Sequence, residues 1–186
     1  MQGSVTEHER ALEKIGVKTV RVLKPEHLEG INGIILPGGE STTLGKLLKL
    51  FGIFEPLREK IRNGLAVFGT CAGLILLAKE IEGEQPHLGV MDIRVRRNAY
   101  GRQLDSFECE SVITEFSADP LELVFIRAPW IEKTFGNARV VAELDGHVIA
   151  ARQNNMLVTS FHPELTEQSA VHEYFAKMCG EHAFRA

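Results

Sequence analysis

Apolar residues recur at helical spacing over Ala11, Leu12 and Ile15, behind Ser4-Val5-Thr6-Glu7, which reads as a capping box. A helix is therefore expected over residues 4–15, ended by Gly16. Thr19–Leu23 and Gly33–Leu36 are short apolar runs that read as strands, and Pro37-Gly38-Gly39 breaks the second into a loop. Leu44–Phe51 and Pro56–Arg62 carry the helical pattern. Leu65–Phe68 has the unbroken apolar run of a buried strand, and Gly69-Thr70-Cys71-Ala72-Gly73 leads from it into a helix over Leu74–Lys79. Strands alternating with helices predict an α/β fold with a parallel sheet.

The second half reads differently. Asp92–Arg96, Phe107–Ile113 and Leu123–Arg127 are expected strands joined by loops without helices, which predicts mixed or antiparallel pairing. Asp145-Gly146 stands between Arg139–Glu143 and His147–Ala150. It marks a tight hairpin, because both turn positions tolerate positive φ. Asn154-Asn155 is the next expected turn, Met156–Phe161 the last strand, and Glu167–Met178 a closing amphipathic helix bearing Val171, Tyr174, Phe175 and Met178. With no repeat, linker or low-complexity tract, residues 1–186 read as one domain.

Composition narrows the class. A chain of 186 residues, 44% of them hydrophobic, can bury a core without disulfides or a metal. A net charge of −4 gives no basic surface for nucleic acid. The run Gly73–Ala78 falls far short of the roughly 20 apolar residues that span a bilayer, and residues 1–7 lack the pattern of a secretory signal. Three cysteines, an odd number with no CxxC pair, argue against a disulfide framework and for a reducing compartment. A soluble cytoplasmic protein is expected, with Cys109 and Cys179 as packing residues.

Candidate chemistry centres on Cys71. It has a glycine two residues to either side at a sharp strand-to-helix turn, the spacing of a nucleophile elbow in an environment that favours thiolate. A cysteine beside glycines is also commonly a small core residue. Gly38-Gly39-Glu40-Ser41 follows another apolar strand, so a parallel sheet would bring it to the same carboxyl edge, where a glycine's N–H can meet an oxyanion. It lacks the P-loop pattern, and Lys46 lies too far along for nucleotide binding. His162-Pro163-Glu164 leaves the end of the last strand as a base beside an acid. His8, His27, His87, His147, His172 and His182 have no comparable setting. Metal binding is the other reading of His162 and Glu164, without a third ligand at convincing spacing.

Together, Leu36-Pro37-Gly38-Gly39-Glu40-Ser41, Gly69–Gly73 and Phe161-His162-Pro163-Glu164 resemble the class-I (triad) glutamine amidotransferases. Glu40-Ser41-Thr42-Thr43, Arg97–Gln103, Phe125–Pro129 and Glu164-Leu165-Thr166 extend the resemblance to the glutaminase subunits of pyridoxal 5′-phosphate synthase, over nearly the whole chain. The resemblance implies a three-layer, flavodoxin-like fold with a mixed, mostly parallel central sheet flanked by helices and an antiparallel hairpin region in the C-terminal half. It implies hydrolysis of L-glutamine by Cys71, His162 and Glu164, with the backbone N–H groups of Gly39 and Ala72 as the oxyanion hole. Gly39, Glu40, Ser41, Arg97, Ile126 and Arg127 would surround the glutamine. For Arg97 and Arg127 a guanidinium fork on the α-carboxylate and a surface ion pair stay open. No metal or organic cofactor is required. The implied partner is a (β/α)8-barrel synthase in a large hetero-oligomer, which takes up the ammonia. The resemblance also implies a short apolar strand ahead of Gln2-Gly3, whereas this sequence opens at Met1. A missing sheet strand is therefore expected, from a misassigned start codon or truncation, with weaker docking of the synthase. A subunit feeding a different synthase and a catalytically silent relative are the competing readings.

Overall fold

The computed structural model describes residues 3–97 and 106–183. Within them the alternating first half folds as helix α1 (Val5–Lys14), strand β1 (Gly33–Leu36), helices α2 (Ser41–Leu50) and α3 (Phe54–Arg62), strand β2 (Ala66–Thr70), helix α4 (Ala72–Leu77) and strand β3 (Ala78–Ile81). The second half contributes β4 (Met91–Arg96), β5 (Ser106–Ser111), β6 (Leu121–Ile126), β7 (Trp130–Thr134), β8 (Arg139–Leu144), β9 (His147–Gln153) and β10 (Met156–Thr159), and closes with α5 (Ala170–Ala183).

The main sheet is mixed, in the order β1-β2-β10-β9-β7-β4-β3 with β8 on β9, while β5 and β6 form a separate antiparallel pair. β1, β2 and β10 run parallel, as do β3 and β4, and β9 and β7 join these two groups by antiparallel pairing. β2 is buried along its whole length, and its side chains alternate between two cores. Val67 packs with Leu44, Leu57, Ile61 and Leu74 beneath α2–α4. Ala66 and Phe68 pack with Leu123, Phe125, Val171 and Phe175 beneath β6 and α5. That division gives three layers.

Several expectations change in detail. Thr19–Leu23 forms no strand: it has no neighbour to pair with among the described residues, Val20 and Leu23 are exposed, and Arg21 is ion-paired with Glu9 at 2.6 Å. Ser4 precedes α1, as expected, but makes no side-chain cap, so the capping box does not close. α2 starts at Ser41, three residues before the expected Leu44, because Glu40 caps it, a role usually filled by shorter side chains. The helix after Cys71 stops at Leu77, since pairing with β4 draws Ala78–Ile81 into a strand. β7 was not expected. α5 begins at Ala170 rather than Glu167, because the Thr166 hydroxyl turns back to the Pro163 carbonyl and accepts from the Gln168 N–H, at 3.2 and 3.3 Å. The Asp145-Gly146 hairpin forms as expected, with both residues at positive φ (49° and 77°). Met1, Gln2 and residues 98–103 of the Arg97–Gln103 motif lie outside the described residues.

Candidate active site

Parallel pairing aligns Leu36 and Val158 with Gly69, and Thr159 with Thr70, so the carboxyl ends of β1, β2 and β10 meet at one edge. Cys71 stands just beyond β2 at φ 48°, ψ −100°, a conformation that costs a side chain on the order of 1–3 kcal/mol and clusters at functional sites. Its N–H donates to the Thr159 carbonyl at 2.9 Å, which ties the elbow to β10. The flanking glycines are required by close approach. A Cβ on Gly69 would lie 2.7 Å from the Gly73 carbonyl carbon, and one on Gly73 would lie 1.9 Å from the Leu36 carbonyl oxygen.

Beyond β10, the N–H of His162 donates to the Val124 carbonyl at 2.8 Å, and Pro163 opens a single 3-10 turn over Pro163–Leu165. That turn swings Glu164 back, so its Oε1 lies 2.8 Å from His162 Nδ1, with both side chains buried. An Nδ1–H given to Glu164 leaves Nε2 to act as the base. Gly38 makes room for the ring, since a Cβ there would come within 2.4 Å of His162 Cε1. Burial works against charging His162, yet the neighbouring Cys71 thiol and the Glu164 carboxylate bonded to Nδ1 outweigh it and raise the ring above its ordinary value, which makes Nε2 a stronger base. Among the described residues Nε2 nevertheless lacks a hydrogen-bond partner, and Cys71 Sγ lies 3.9 Å from the Ile126 carbonyl. Such slack between thiol and base is common before substrate binds. Burial likewise opposes ionisation of Glu164, but His162 and then His8 keep its carboxyl below the ordinary value.

The expected glutamine-binding residues separate into different roles. Gly39 has φ 147°, within the region that favours glycine, on the loop between β1 and α2. Ser41 opens α2 with a buried hydroxyl that has no partner among the described residues. Ile126 reaches Cys71 through its backbone carbonyl, and its side chain is exposed. Arg127 follows at φ 43°, exposed and strained. The guanidinium of Arg97 is ion-paired, 3.1 Å from Glu40 and 2.5 Å from Glu84.

Glu40 accepts from the Thr43 hydroxyl at 2.7 Å and from the N–H groups of Thr43 and Thr42 at 2.7 and 3.2 Å. The Thr43 hydroxyl, then, against slight burial, these two amides and Arg97 hold its carboxyl at about 2 rather than 4.5. A depressed carboxylate stabilises the fold above its unfolded pKa, and that stability is lost as pH falls through the folded one. Glu40→Gln is expected to lower stability at pH 7 by about 1 kcal/mol, a capping effect trimmed by exposure. The deficit should shrink between pH 4.5 and 2. Urea midpoints across that range check it, and a deficit independent of pH would refute the assignment.

Two residues set aside on sequence prove central to the surroundings. His8 and His172 are 3% and 0% exposed, directly behind Glu164. His8 falls on the face of α1 that repeats through Ala11, Leu12 and Ile15, and His172 sits beside Val171 ahead of Phe175. Helical phase alone therefore marks both as inward-facing. All three cysteines are free, and burial pushes the Cys179 thiol up to about 11. Among the described residues no group of three His, Cys, Asp or Glu side chains is placed to hold a metal ion, and no helix is long and apolar enough to cross a membrane.

Comparison with known proteins gives the site its context. A protein of Carboxydothermus hydrogenoformans named pyridoxal 5′-phosphate synthase subunit PdxT is 56% identical over 181 residues, covering 96% of this chain and 95% of that one. The protein of the same name from Fervidobacterium nodosum is 53% identical over 183 residues, covering 98% and 95%. A crystal structure described as a glutamine amidotransferase superposes with a TM-score of 0.91 at 46% identity, covering 96% of this chain and 95% of that one. PurLQS of Thermotoga maritima shares the fold, with a TM-score of 0.64 at 15% identity and coverage of 98% and 92%. The model of the SNO glutamine amidotransferase family matches residues 1–181, and this chain belongs to that family.

Proposed function

We propose that this chain is the glutaminase subunit of a pyridoxal 5′-phosphate synthase, hydrolysing L-glutamine to glutamate and passing the ammonia to a synthase subunit. The observation that carries the reading is the convergence of the Cys71 elbow with the His162–Glu164 pair at one sheet edge, where Nδ1 and Oε1 lie 2.8 Å apart. A protonated imidazole needs a fixed carboxylate, and a cysteine nucleophile needs that imidazole.

His162 Nε2 takes the thiol proton as Cys71 Sγ attacks the carboxamide carbon. The tetrahedral oxyanion is held by the N–H groups of Gly39 and Ala72, and the Ala72 N–H is free for this because it opens a helix. Collapse breaks the C–N bond, the imidazolium gives its proton to departing ammonia, and a γ-glutamyl thioester remains. Water, deprotonated by His162, cleaves it and returns the thiol. These steps need no metal or organic cofactor, because nucleophile, base and oxyanion donors all come from the chain. The unpartnered Ser41 hydroxyl, the Gly39-Glu40 loop, Ile126 and the exposed Arg127 border the amino-acid end of the substrate, with Arg97 holding Glu40 in place. The ammonia goes to a (β/α)8-barrel synthase in a large hetero-oligomer in the cytoplasm.

The test is ammonia release from glutamine with and without such a synthase subunit. Stimulation by the synthase is expected, because docking would draw Cys71 and His162 Nε2 into contact. Equal turnover in both conditions would refute the coupling. Release stimulated only by another synthase would move the chain to a different pathway, and none under any condition would refute the glutaminase reading.

A further inference from the structure

Glu164 presents one carboxylate oxygen to His162, and its other, Oε2, has no hydrogen-bond partner among the described residues. The polar atom facing Oε2 is His8 Nε2, 3.5 Å away and also 3.2 Å from the Thr70 hydroxyl. The opposite nitrogen of His8, Nδ1, lies 2.9 Å from His172 Nε2, while His172 Nδ1 is buried without a partner among the described residues. Phe68 packs edge-on against both rings, with centroids 6.1 and 6.2 Å away, and fixes their planes.

Proton counting selects one arrangement. If His172 carries its proton on Nδ1, a buried donor goes unpaired and His8 turns a lone pair toward a carboxylate. If it carries the proton on Nε2, that N–H donates to His8 Nδ1, and the His8 Nε2–H points at Glu164 and Thr70. A bare acceptor at His172 Nδ1 is then the single unmet group. We propose that neutral His8, locked in its Nε2–H form by His172, is a positioning residue that holds the second oxygen of Glu164 and so fixes the carboxylate against His162. The proposal rests on the triad reading above.

The neighbours agree with a neutral pair. The charged or titratable groups acting on His8 are Glu7 on its own helix, His172 on α5, and Glu164 with His162 beyond it. Burial, the largest influence, keeps His8 below its ordinary value despite Glu164, and burial with His8 takes His172 down to about 4. The Lys14–Glu167 ion pair joins the end of α1 to the segment just past Glu164, so helix and turn are held together at two points.

Three measurements test this. In histidine-¹⁵N-labelled wild-type protein, His8 should be neutral with its proton on Nε2 at pH 7; a bare Nε2 or a cationic ring overturns the proposal whatever the variants do. His8→Phe should lower kcat for ammonia release on the order of tenfold, with KM little changed, the scale on which outer partners of a functional imidazole act. It should also shift the acid limb of Cys71 alkylation by iodoacetamide to higher pH, because a Glu164 carboxylate without its second donor protonates more readily. His8→Gln, which keeps an N–H near the same place, should restore kcat to within about threefold of wild type. A purely structural His8 would lower the melting temperature and leave kcat per folded molecule and the acid limb unmoved, which would overturn the proposal. So would His8→Gln falling as far as His8→Phe. If Cys71→Ala keeps its activity, the triad reading itself fails; if Cys71→Ala is inactive and His8→Phe matches wild type, only this inference fails.

Discussion

Cys71→Ala should release ammonia from glutamine about 10⁴-fold more slowly than the wild type, measured with the synthase present, because no other group can form the thioester. Substrate positioning by the rest of the site is untouched, so glutamine affinity should survive the change. The fold should survive as well. Alanine carries the same Cβ as cysteine and bears the φ of 48° at no added strain, and what is lost is the packing of one sulfur, about 1 kcal/mol. Adding His162→Ala to Cys71→Ala should cost little more, since nucleophile and base act as one unit. A Cys71→Ala protein retaining a tenth of wild-type release would exclude Cys71 as nucleophile.

The meeting of Cys71, His162 and Glu164 at one sheet edge was legible in the sequence because each carries a local constraint. The elbow needs Gly69 and Gly73 at fixed offsets, and Pro163 places Glu164 one short turn beyond His162. What was not legible depends on pairing at a distance. Thr19–Leu23 has a strand's composition, but a strand exists only beside a partner, and the described residues offer none. Lys79 continues a helical pattern locally, yet the ladder with β4 claims it. The capping of α2 by Glu40 and its pairing with Arg97, 57 positions away, likewise appear only once the chain is folded. His8 and His172 stand 164 positions apart and each looks unremarkable alone; only the packing of α1 against α5 makes them a pair behind Glu164.

The second large effect is expected at Gly73. In a helix interior Gly→Ala ordinarily stabilises by roughly 0.5–1 kcal/mol. Here the added Cβ would lie 1.9 Å from the Leu36 carbonyl oxygen, 2.8 Å from its carbon and 3.0 Å from the Leu36 Cβ. The obstacle is backbone, so no rotamer relieves it, and either α4 or the end of β1 must move. β1 is held by its parallel ladder to β2, with Ile35 beside Phe68 and Leu36 beside Gly69. Overpacking of this kind costs about 3 kcal/mol or more, enough to outweigh the helix propensity gained. The damage should also reach the chemistry. Leu36 leads directly into Pro37-Gly38-Gly39, and a Cβ on Gly38 would already lie 2.4 Å from the His162 ring, so a shift of β1 misplaces both the proposed oxyanion donor and the wall against His162. In the folded fraction, Gly73→Ala should lose on the order of 10²-fold in ammonia release, the scale of a lost oxyanion donor. Gly180→Ala is the matched control: it is also helical, its Cβ meets nothing within 4 Å, and it should be neutral or slightly stabilising with full activity. Urea denaturation and ammonia release on the two variants side by side decide the matter. Equal behaviour would mean that the close contact of α4 with the end of β1 does not set the elbow.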